Sequence, residues 1–309
     1  MPALHPAALG ATLYVPATRT DLFEVLLGGR HPDLRSAIVC LEDSVPADQT
    51  AAALLQLSRF LRDLAAAPRR PTAPALFVRP RSAAMLRLIT AMDGADRLDG
   101  FVVPKATADS LPAYLDALVC DHHLLMPTVE SLAAFEPAEM RRLRRGLLAD
   151  RARILAVRIG GNDLLQLIGA RRSITRTAYE GPLGAIIVNL VAAFAPFGFA
   201  LSAPVLESFA DPGLLREEVE RDIEHGLVTK TAIHPAQLKV IQDAYAVHPQ
   251  DLACARAVLS SQAQAVFASR GVMSEPATHA RWAQALVRRA EAFGLSEPER
   301  PVRRAAGRA

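Results

Sequence analysis

The fold is decided by the stretch Ser36-Ala37-Ile38-Val39-Cys40-Leu41-Glu42-Asp43 and by the segment that follows it. The stretch begins with a run of mostly apolar, β-forming residues, which is typical of a strand covered on both faces. Beyond it, a stripe of leucines recurs at helical spacing from Leu54 to Leu64, which indicates a helix with one apolar face. A strand followed by such a helix is the repeating unit of a parallel α/β sheet, so we expect that class of fold.

The same unit recurs along the chain. Eight short β-rich runs alternate with helical patterns: Thr12–Val15, Ser36–Leu41, Ala75–Val78, Gly100–Val103, Leu124–Met126, Ile154–Ile159, Phe199–Ala203 and Val228–Ala232. Eight β-then-α units joined by right-handed crossovers close naturally into a barrel. The sequence therefore predicts a (β/α)8 TIM barrel over residues 1–246.

The C-terminal part lacks further β signals. Residues 250–270 and 277–293 have helical patterns, joined by a loop from Gly271 to Pro276. We expect a C-terminal helical extension over residues 247–295. Residues 296–309 are rich in Pro, Arg and Ala and are predicted to form a disordered tail.

Composition narrows the class of protein. The chain has 309 residues, of which 51% are hydrophobic, so a large core is available. Its 35 Lys and Arg nearly balance 32 Asp and Glu, which gives little support for nucleic-acid binding. The three cysteines have no CxxC spacing, and neither a signal peptide nor a run of about 18 apolar residues is evident. We expect a cytoplasmic protein without nucleic-acid or membrane partners.

Titratable side chains follow every predicted strand, where barrels of this type carry their chemistry. In chain order they are Arg19, Glu42 with Asp43, Arg79, Lys105, Glu130, Asp163, Glu207, and His234 after Lys230. Such a mixture of acids and bases suits a pocket that binds an anionic substrate through a divalent cation.

Glu130 and Asp163 are the candidate metal ligands. They follow consecutive strands, so their carboxylates can converge, and Mg²⁺ prefers such oxygen ligands together with water and substrate oxygens. The Gly160-Gly161 pair would let the backbone approach the ion or substrate closely. The alternative is that each acid caps a helix.

Arg79 is the candidate anion ligand, because a strand holds its stem and its guanidinium can bind a carboxylate through two hydrogen bonds. The alternative is a solvated loop arginine, with Arg81 as a competitor. Glu42 and Asp43 either position metal-bound waters or cap the next helix.

Lysine is scarce, and two of the three lysines, Lys105 and Lys230, stand near strand ends. A Schiff-base aldolase needs one such lysine with a lowered pKa. We favour the alternative in which Lys105 pairs with neighbouring carboxylates. For His234 we favour a buried, structural histidine over a general acid or base.

The strand ends together resemble the HpcH/HpaI aldolase–citrate lyase β-subunit superfamily, most closely its bacterial branch of citrate lyase-like C–C bond lyases. Seven motifs carry the resemblance in register: Leu13-Tyr14-Val15-Pro16 with Arg19, Cys40-Leu41-Glu42-Asp43-Ser44-Val45, Phe77-Val78-Arg79-Pro80, Gly100-Phe101-Val102-Val103-Pro104-Lys105, Leu125-Met126-Pro127-Thr128-Val129-Glu130, Arg158-Ile159-Gly160-Gly161-Asn162-Asp163-Leu164 and Lys230-Thr231-Ala232-Ile233-His234-Pro235-Ala236-Gln237.

This resemblance implies roles for the matched residues. Glu130 and Asp163 would bind Mg²⁺, with Mn²⁺ as the alternative ion, and Glu130 would also face the substrate. Arg79 would bind the carboxylate of an oxaloacetate-, pyruvate- or glyoxylate-like 2-oxo acid, and Arg19 is a further candidate for substrate binding. The residues expected to take part in catalysis are Arg79, Lys105, Glu42 and Asp43.

The function implied is that of a Mg²⁺-dependent C–C bond lyase or aldolase that acts through a metal-stabilised enolate on a 2-oxo acid or an acyl-CoA. Coenzyme A would then be part of the substrate. The alternatives are an acyl-CoA thioesterase or synthase with the same chemistry, and a non-catalytic barrel subunit of a multi-enzyme complex.

The chain departs from the family pattern at three places. Asn162 replaces the usual Glu before the metal-binding Asp, and Arg81 replaces the usual Asn two residues after Arg79. The segment from Ser202 to Glu207 differs from citrate-cleaving members. These differences suit a different, more anionic substrate.

Relatives of this kind are usually oligomers, so we expect a homo-oligomer, either a trimer or a hexamer built as a dimer of trimers. The loop from Gly271 to His279, including Glu275, would approach an active site of its own or a neighbouring subunit. The alternative is that the extension only packs on its own barrel.

Overall fold

The computed structural model describes residues 4–68, 72–269 and 271–296. The chain divides into two compact units, Met1–Ala244 and Tyr245–Ala309.

The first unit is a closed barrel of eight parallel strands, each paired with the next, with β8 pairing back to β1. The strands are β1 (Ala11–Pro16), β2 (Ser36–Cys40), β3 (Ala75–Arg79), β4 (Gly100–Val103), β5 (Leu124–Val129), β6 (Val157–Ile159), β7 (Leu201–Ala203) and β8 (Thr229–Ala232). All eight predicted strands are present within three residues of their predicted ends, and the predicted TIM barrel is confirmed.

Helices follow the strands. In the first unit they are α1 (Leu22–Leu27), α2 (Thr50–Ala66), α3 (Ala83–Thr90), α4 (Leu111–Leu115), α5 (Pro137–Ala149), α6 (Gly161–Leu167), α7 (Pro182–Phe194), α8 (Pro212–Glu224) and α9 (Ala236–Tyr245). At the starts of α3 and α8 a side chain caps the helix: Ser82 accepts from the Met85 N–H, and Asp211 accepts from the Leu214 N–H. Each cap satisfies an N–H that the first helical turn leaves without a partner.

The barrel interior has an apolar part. Ile38, Phe77, Val102 and Met126 point inward from β2 to β5 and form one buried cluster with neighbouring residues. Because side chains alternate between the two faces of a strand, this inward set fixes which residues at the strand ends face the barrel mouth.

The second unit contains α10 (Pro249–Val258), a hairpin of β9 (Phe267–Ser269) and β10 (Val272–Ser274), and α11 (Pro276–Phe293). The prediction of a helix through residue 270 was wrong beyond Val258. A polar segment follows α10, and Gly271 adopts a φ of 75°, which belongs to a turn rather than to a helix. Val258, Ala283 and Leu286 contribute to the unit's own buried core.

Most of the predicted tail, residues 297–309, lies outside the described residues. Among the residues with described positions, no helix is long and apolar enough to cross a membrane.

Candidate active site

Six charged side chains meet at the carboxyl end of the barrel, on four successive strand ends and the start of α6. They are Glu42, Asp43, Arg79, Lys105, Glu130 and Asp163, and they are called the mouth cluster below. Sequence reasoning proposed all six, and the fold brings all six together.

Arg79 lies at the centre of the mouth cluster. Its Nη2 is 2.7 Å from Glu42 Oε2, 3.1 Å from Asp43 Oδ2 and 2.9 Å from Glu130 Oε1. Its Nε is buried without a hydrogen-bond partner in the described part of the chain. The three carboxylates therefore use one corner of the guanidinium and leave another donor free, so the residue is no solvated loop arginine.

Lys105 forms ion pairs with three of the four carboxylates of the mouth cluster. Its Nζ lies 2.7 Å from Glu42 Oε1, 3.5 Å from Asp43 Oδ1 and 3.6 Å from Asp163 Oδ1. Burial lowers the pKa of Lys105, but the hydrogen bond to Glu42 and the charges of Glu42, Asp43 and Asp163 together outweigh that effect and raise the pKa overall. The amine is therefore protonated near neutral pH, as expected for a lysine that pairs with carboxylates.

The backbone of Lys105 also takes part in the mouth cluster. This residue has a φ of 47°, the only positive φ of a non-glycine residue in the described ranges, and its N–H donates to Glu130 Oε1 at 2.8 Å. A strained backbone of this kind persists where the surrounding contacts determine it, and such positions cluster at functional sites.

Glu130 is nearly inaccessible, and burial is the main cause that raises the pKa of its carboxyl to about 7. Arg79 lowers the pKa, whereas the negative charge of Asp163 raises it further. Gly160 makes room for this side chain, since a Cβ at that position would lie 2.2 Å from Glu130 Oε2. The glycine thus admits the carboxylate itself, which differs from the expected role of admitting an ion or substrate.

The pKa values of Glu42 and Asp43 are shifted in opposite directions. Burial raises the pKa of Glu42, but hydrogen bonds and charge from Asp43, Arg79 and Lys105 lower it to about 2. Burial and the adjacent Glu42 raise the pKa of Asp43 to about 6. Glu42 is therefore a permanent anion, while Asp43 exchanges a proton near neutral pH.

The charge of the mouth cluster is unbalanced. Four carboxylates face two cationic side chains, so the fully ionised cluster has a net charge of minus two. The negative charges of Asp163 and Glu42 within this excess add to the effect of burial in raising the pKa of Glu130. A divalent cation would neutralise it.

Four of the predicted strand-end residues lie outside the mouth cluster, namely Arg19, Glu207, His234 and Lys230. Arg19 is exposed and donates from Nε and Nη2 to Asp21 at 2.8 and 2.7 Å. His234 is also exposed, which corrects the expectation of a buried histidine, and it stacks on Phe209 with ring centroids 4.6 Å apart. Arg81 instead donates to the Glu42 and Val45 carbonyls, which holds the loop after β2.

Lys230 faces away from the mouth. It is fully buried, and its Nζ donates to Pro204 O, Glu218 Oε1 and Asp222 Oδ2 at 2.8–2.9 Å. Burial lowers its pKa, but the two carboxylates raise it overall. Sequence reasoning missed this buried ion cluster, although the four-residue spacing of Glu218 and Asp222 on α8 was a signal for one shared helix face.

A closed α/β barrel with titratable side chains gathered at the carboxyl ends of its strands has the architecture of a TIM-barrel enzyme. The chain belongs to the family of C–C bond lyases of the TIM-barrel fold, whose sequence model matches residues 3–295. This family assignment confirms the resemblance to the citrate lyase β-subunit superfamily, and the chain is an enzyme of that superfamily.

A curated relative is a (3S)-malyl-CoA thioesterase of Cereibacter sphaeroides, 29% identical over 184 residues. The alignment covers 58% of this chain and 61% of that relative, so the chain spans less than two thirds of the relative's length.

Solved structures share the fold. The CitE protein of Mycobacterium tuberculosis, in complex with magnesium, acetoacetate and coenzyme A, has a TM-score of 0.66 and 23% identity, and the match covers 93% of this chain and 99% of CitE. RipC of Yersinia pestis has a TM-score of 0.61 and 21% identity, with 80% of this chain and 99% of RipC covered.

Proposed function

We propose that this enzyme is a Mg²⁺-dependent C–C bond lyase or aldolase that acts on a 2-oxo acid or the corresponding acyl-CoA. The observation that carries the proposal is the mouth cluster, with its excess of two negative charges around a buried arginine. Family membership supports the reaction class.

Glu130 and Asp163 would hold the cation. Within the described ranges, no group of three or more His, Cys, Asp or Glu side chains converges on a metal position, so two carboxylates with water and substrate oxygens would form the coordination shell. That donor set fits Mg²⁺, and Mn²⁺ is the alternative. When bound, the cation would act as a Lewis acid toward the oxo and carboxylate oxygens of the substrate.

The protein's own side chains would orient the substrate and transfer protons. The free Nε of Arg79 is available to a substrate carboxylate. Lys105 would hold Glu42 and Asp163 in place through its charge. Asp43 is the half-exposed acid whose pKa lies near 6, so it is the group best suited to exchange a proton with the bulk solvent.

Thioester hydrolysis is the second candidate. It is favoured by the similarity to (3S)-malyl-CoA thioesterase, and coenzyme A is present in the related CitE complex. A lyase and a thioesterase would share the acyl-CoA substrate class and differ in whether water attacks the thioester.

We also propose that the protein is a cytoplasmic homo-oligomer, a trimer or a hexamer. Val272, Met273 and Trp282 of the second unit are apolar and at least 45% exposed within one chain, and apolar surface of this kind favours contact with another subunit. The three cysteines are free, as in a reducing compartment.

One experiment separates the candidate reactions. The full chain is stripped with EDTA, supplied with Mg²⁺, and incubated with malyl-CoA, and products are read by mass spectrometry. Glyoxylate and acetyl-CoA indicate C–C cleavage, whereas malate and free coenzyme A indicate hydrolysis. Oxaloacetate is tested in parallel, and Glu130→Gln is the matched control. Absence of Mg²⁺-dependent turnover of either substrate would contradict the proposal.

A further inference from the structure

A second cation lies inside the barrel, below the mouth cluster. Arg158 on β6 is among the largest fully buried side chains, with 1% of its surface exposed. Its Nη2 donates to Thr231 Oγ1 at 2.6 Å, its Nη1 lies 3.8 Å from Met126 Sδ, and its guanidinium lies 5.5 Å from the centre of the Tyr14 ring. These contacts reach β8, β5 and β1, so the side chain occupies the barrel lumen.

Among the described residues, the charge of Arg158 has no counter-ion. No carboxylate of residues 4–68, 72–269 or 271–296 lies within 4 Å of its guanidinium, whereas the buried Arg172 pairs with Glu218 and Arg79 pairs with three acids. An arginine stays protonated in proteins, and an unpaired buried charge is strongly unfavourable. Binding of an anion beside Arg158 would therefore be favourable.

Two buried hydroxyls flank this arginine. Thr128 and Ser202 are the register partners of Arg158 on β5 and β7, so all three side chains point to the same face of the barrel wall. Thr128 Oγ1 and Ser202 Oγ are buried, and neither has a hydrogen-bond partner in the described part of the chain. Buried hydroxyls normally form hydrogen bonds. These two hydroxyls therefore offer two donors, beside the cation of Arg158, to a ligand with acceptor atoms.

The residues around Arg158 are accessible from the barrel mouth. Thr231, which accepts from Arg158, and Tyr14 are both partly exposed, and inward-facing residues of a closed barrel reach solvent only through its ends. Thr231 is one residue from the carboxyl end of β8. Tyr14 acts electrostatically on Arg79 of the mouth cluster, and its ring centre lies 5.5 Å from the Arg158 guanidinium, so this tyrosine lies near both arginines.

We propose that Arg158, Thr128, Ser202 and Thr231 form a second anion subsite that binds a carboxylate group, namely the distal carboxylate of the substrate. This inference rests on the proposed function for the presence of a carboxylate substrate at the mouth. It assigns the substrate two carboxylates, one bound at Arg79 and the other at Arg158.

The first experiment needs neither metal nor turnover. The melting temperature of the full chain is measured in EDTA against increasing sodium formate, with sodium chloride at equal ionic strength as reference. Formate is expected to stabilise the wild type more than chloride does. Arg158→Met is expected to raise the melting temperature without formate, because an uncompensated charge is removed, and to abolish the formate response.

Matched variants separate this subsite from other effects. Arg172→Met removes a buried but paired arginine and is expected to lower stability while the formate response remains. Arg79→Gln is also expected to keep the response, because in EDTA the mouth cluster has an excess of two negative charges and disfavours an anion at Arg79. Thr128→Val and Ser202→Ala, which conserve the packing, are expected to weaken it. A formate response equal to that of chloride, or one that survives Arg158→Met, would overturn the subsite.

The second experiment identifies the source of the carboxylate. With Mg²⁺ present, Arg158→Met is expected to weaken binding of oxaloacetate at least about tenfold, as for a lost charge-assisted hydrogen bond, and to leave binding of the monocarboxylate pyruvate unchanged. Equal losses for both would overturn the distal assignment. Failure of the proposed function would appear differently, as loss of Mg²⁺-dependent turnover with the formate response intact.

Discussion

Arg79 and Glu130 are bound to each other in the barrel mouth, with Nη2 2.9 Å from Oε1 and both side chains at least 92% buried. Oε1 also accepts from the Lys105 N–H at 2.8 Å. Two donors thus hold one carboxylate oxygen in place, while Oε2 is left without a hydrogen bond among the described residues. This relationship makes Oε2 the oxygen available to a cation.

We predict that Arg79→Lys weakens oxaloacetate binding by roughly 1.5–3 kcal/mol, the range for a hydrogen bond to a charged group. A lysine supplies a point charge and cannot bind three acids and a ligand at fixed angles. Isothermal titration calorimetry checks this, with the exposed Arg19→Lys as the control. If Arg79→Lys binds normally and Arg19→Lys does not, the substrate carboxylate belongs at Arg19.

We predict that Glu130→Gln and Asp163→Asn each abolish Mg²⁺ binding and activity while the fold remains. Both changes keep the shape of the side chain and remove one of two hard oxygen anions. Calorimetry with Mg²⁺ and circular dichroism provide the two measurements. Glu207→Gln, an acid outside the mouth cluster, is the control. Full activity of the wild type in excess chelator would refute the metal requirement.

We predict that neither Lys105 nor Lys230 forms a Schiff base. Ion pairs raise the pKa of both lysines, and a protonated amine is not a nucleophile. Borohydride trapping in the presence of pyruvate, followed by peptide mass spectrometry, is the measurement. A stable adduct on either lysine would replace the metal-based proposal with an imine mechanism.

We predict an acid-sensitive contribution to stability from His123. Burial is the main cause that lowers its pKa to about 4, against about 6.5 in the unfolded chain. The unfolded state therefore takes up the proton first, and stability is lost as pH falls from about 6.5 to about 4, by at most about 1.4 kcal/mol per pH unit. Urea unfolding at several pH values should show a smaller loss for His123→Gln, whereas the exposed His122→Gln should keep the wild-type slope.

The sequence allowed the barrel and the mouth cluster to be predicted, because both depend on local order along the chain. Apolar β-rich runs locate strands, and the residue after each run lies at the mouth. That is why Arg79, Glu130 and Asp163 were found together.

Other features could not be predicted from the sequence, because they depend on the face of the strand to which a side chain points. Lys230 looks like a strand-end residue, but β8 continues to Ala232, and the lysine points outward to α8. Arg158 lies in a β-rich run, and nothing in its spacing shows that it points into the lumen. The hairpin around Gly271 was missed because strands of three residues are too short to show an alternating pattern.

We predict that Gly160→Ala lowers Mg²⁺ affinity at least about tenfold by displacing one ligand, a change of about 1.4 kcal/mol or more. Gly160 has a φ of −88°, which any residue can adopt, so the added Cβ acts through contact alone. That Cβ would lie 2.2 Å from Glu130 Oε2 and 2.5 Å from Glu130 Cβ. The carboxylate must therefore shift from the position in which Arg79 and the Lys105 N–H hold it.

Gly181→Ala is the matched control for this change. Gly181 precedes α7 in an extended conformation, and the nearest atom to an added Cβ is 3.9 Å away. Calorimetric Mg²⁺ affinity is measured for both variants, with melting temperatures to show that both fold. Wild-type affinity in Gly160→Ala would mean that Glu130 is not a ligand, whereas equal losses in both variants would point to a general loss of structure.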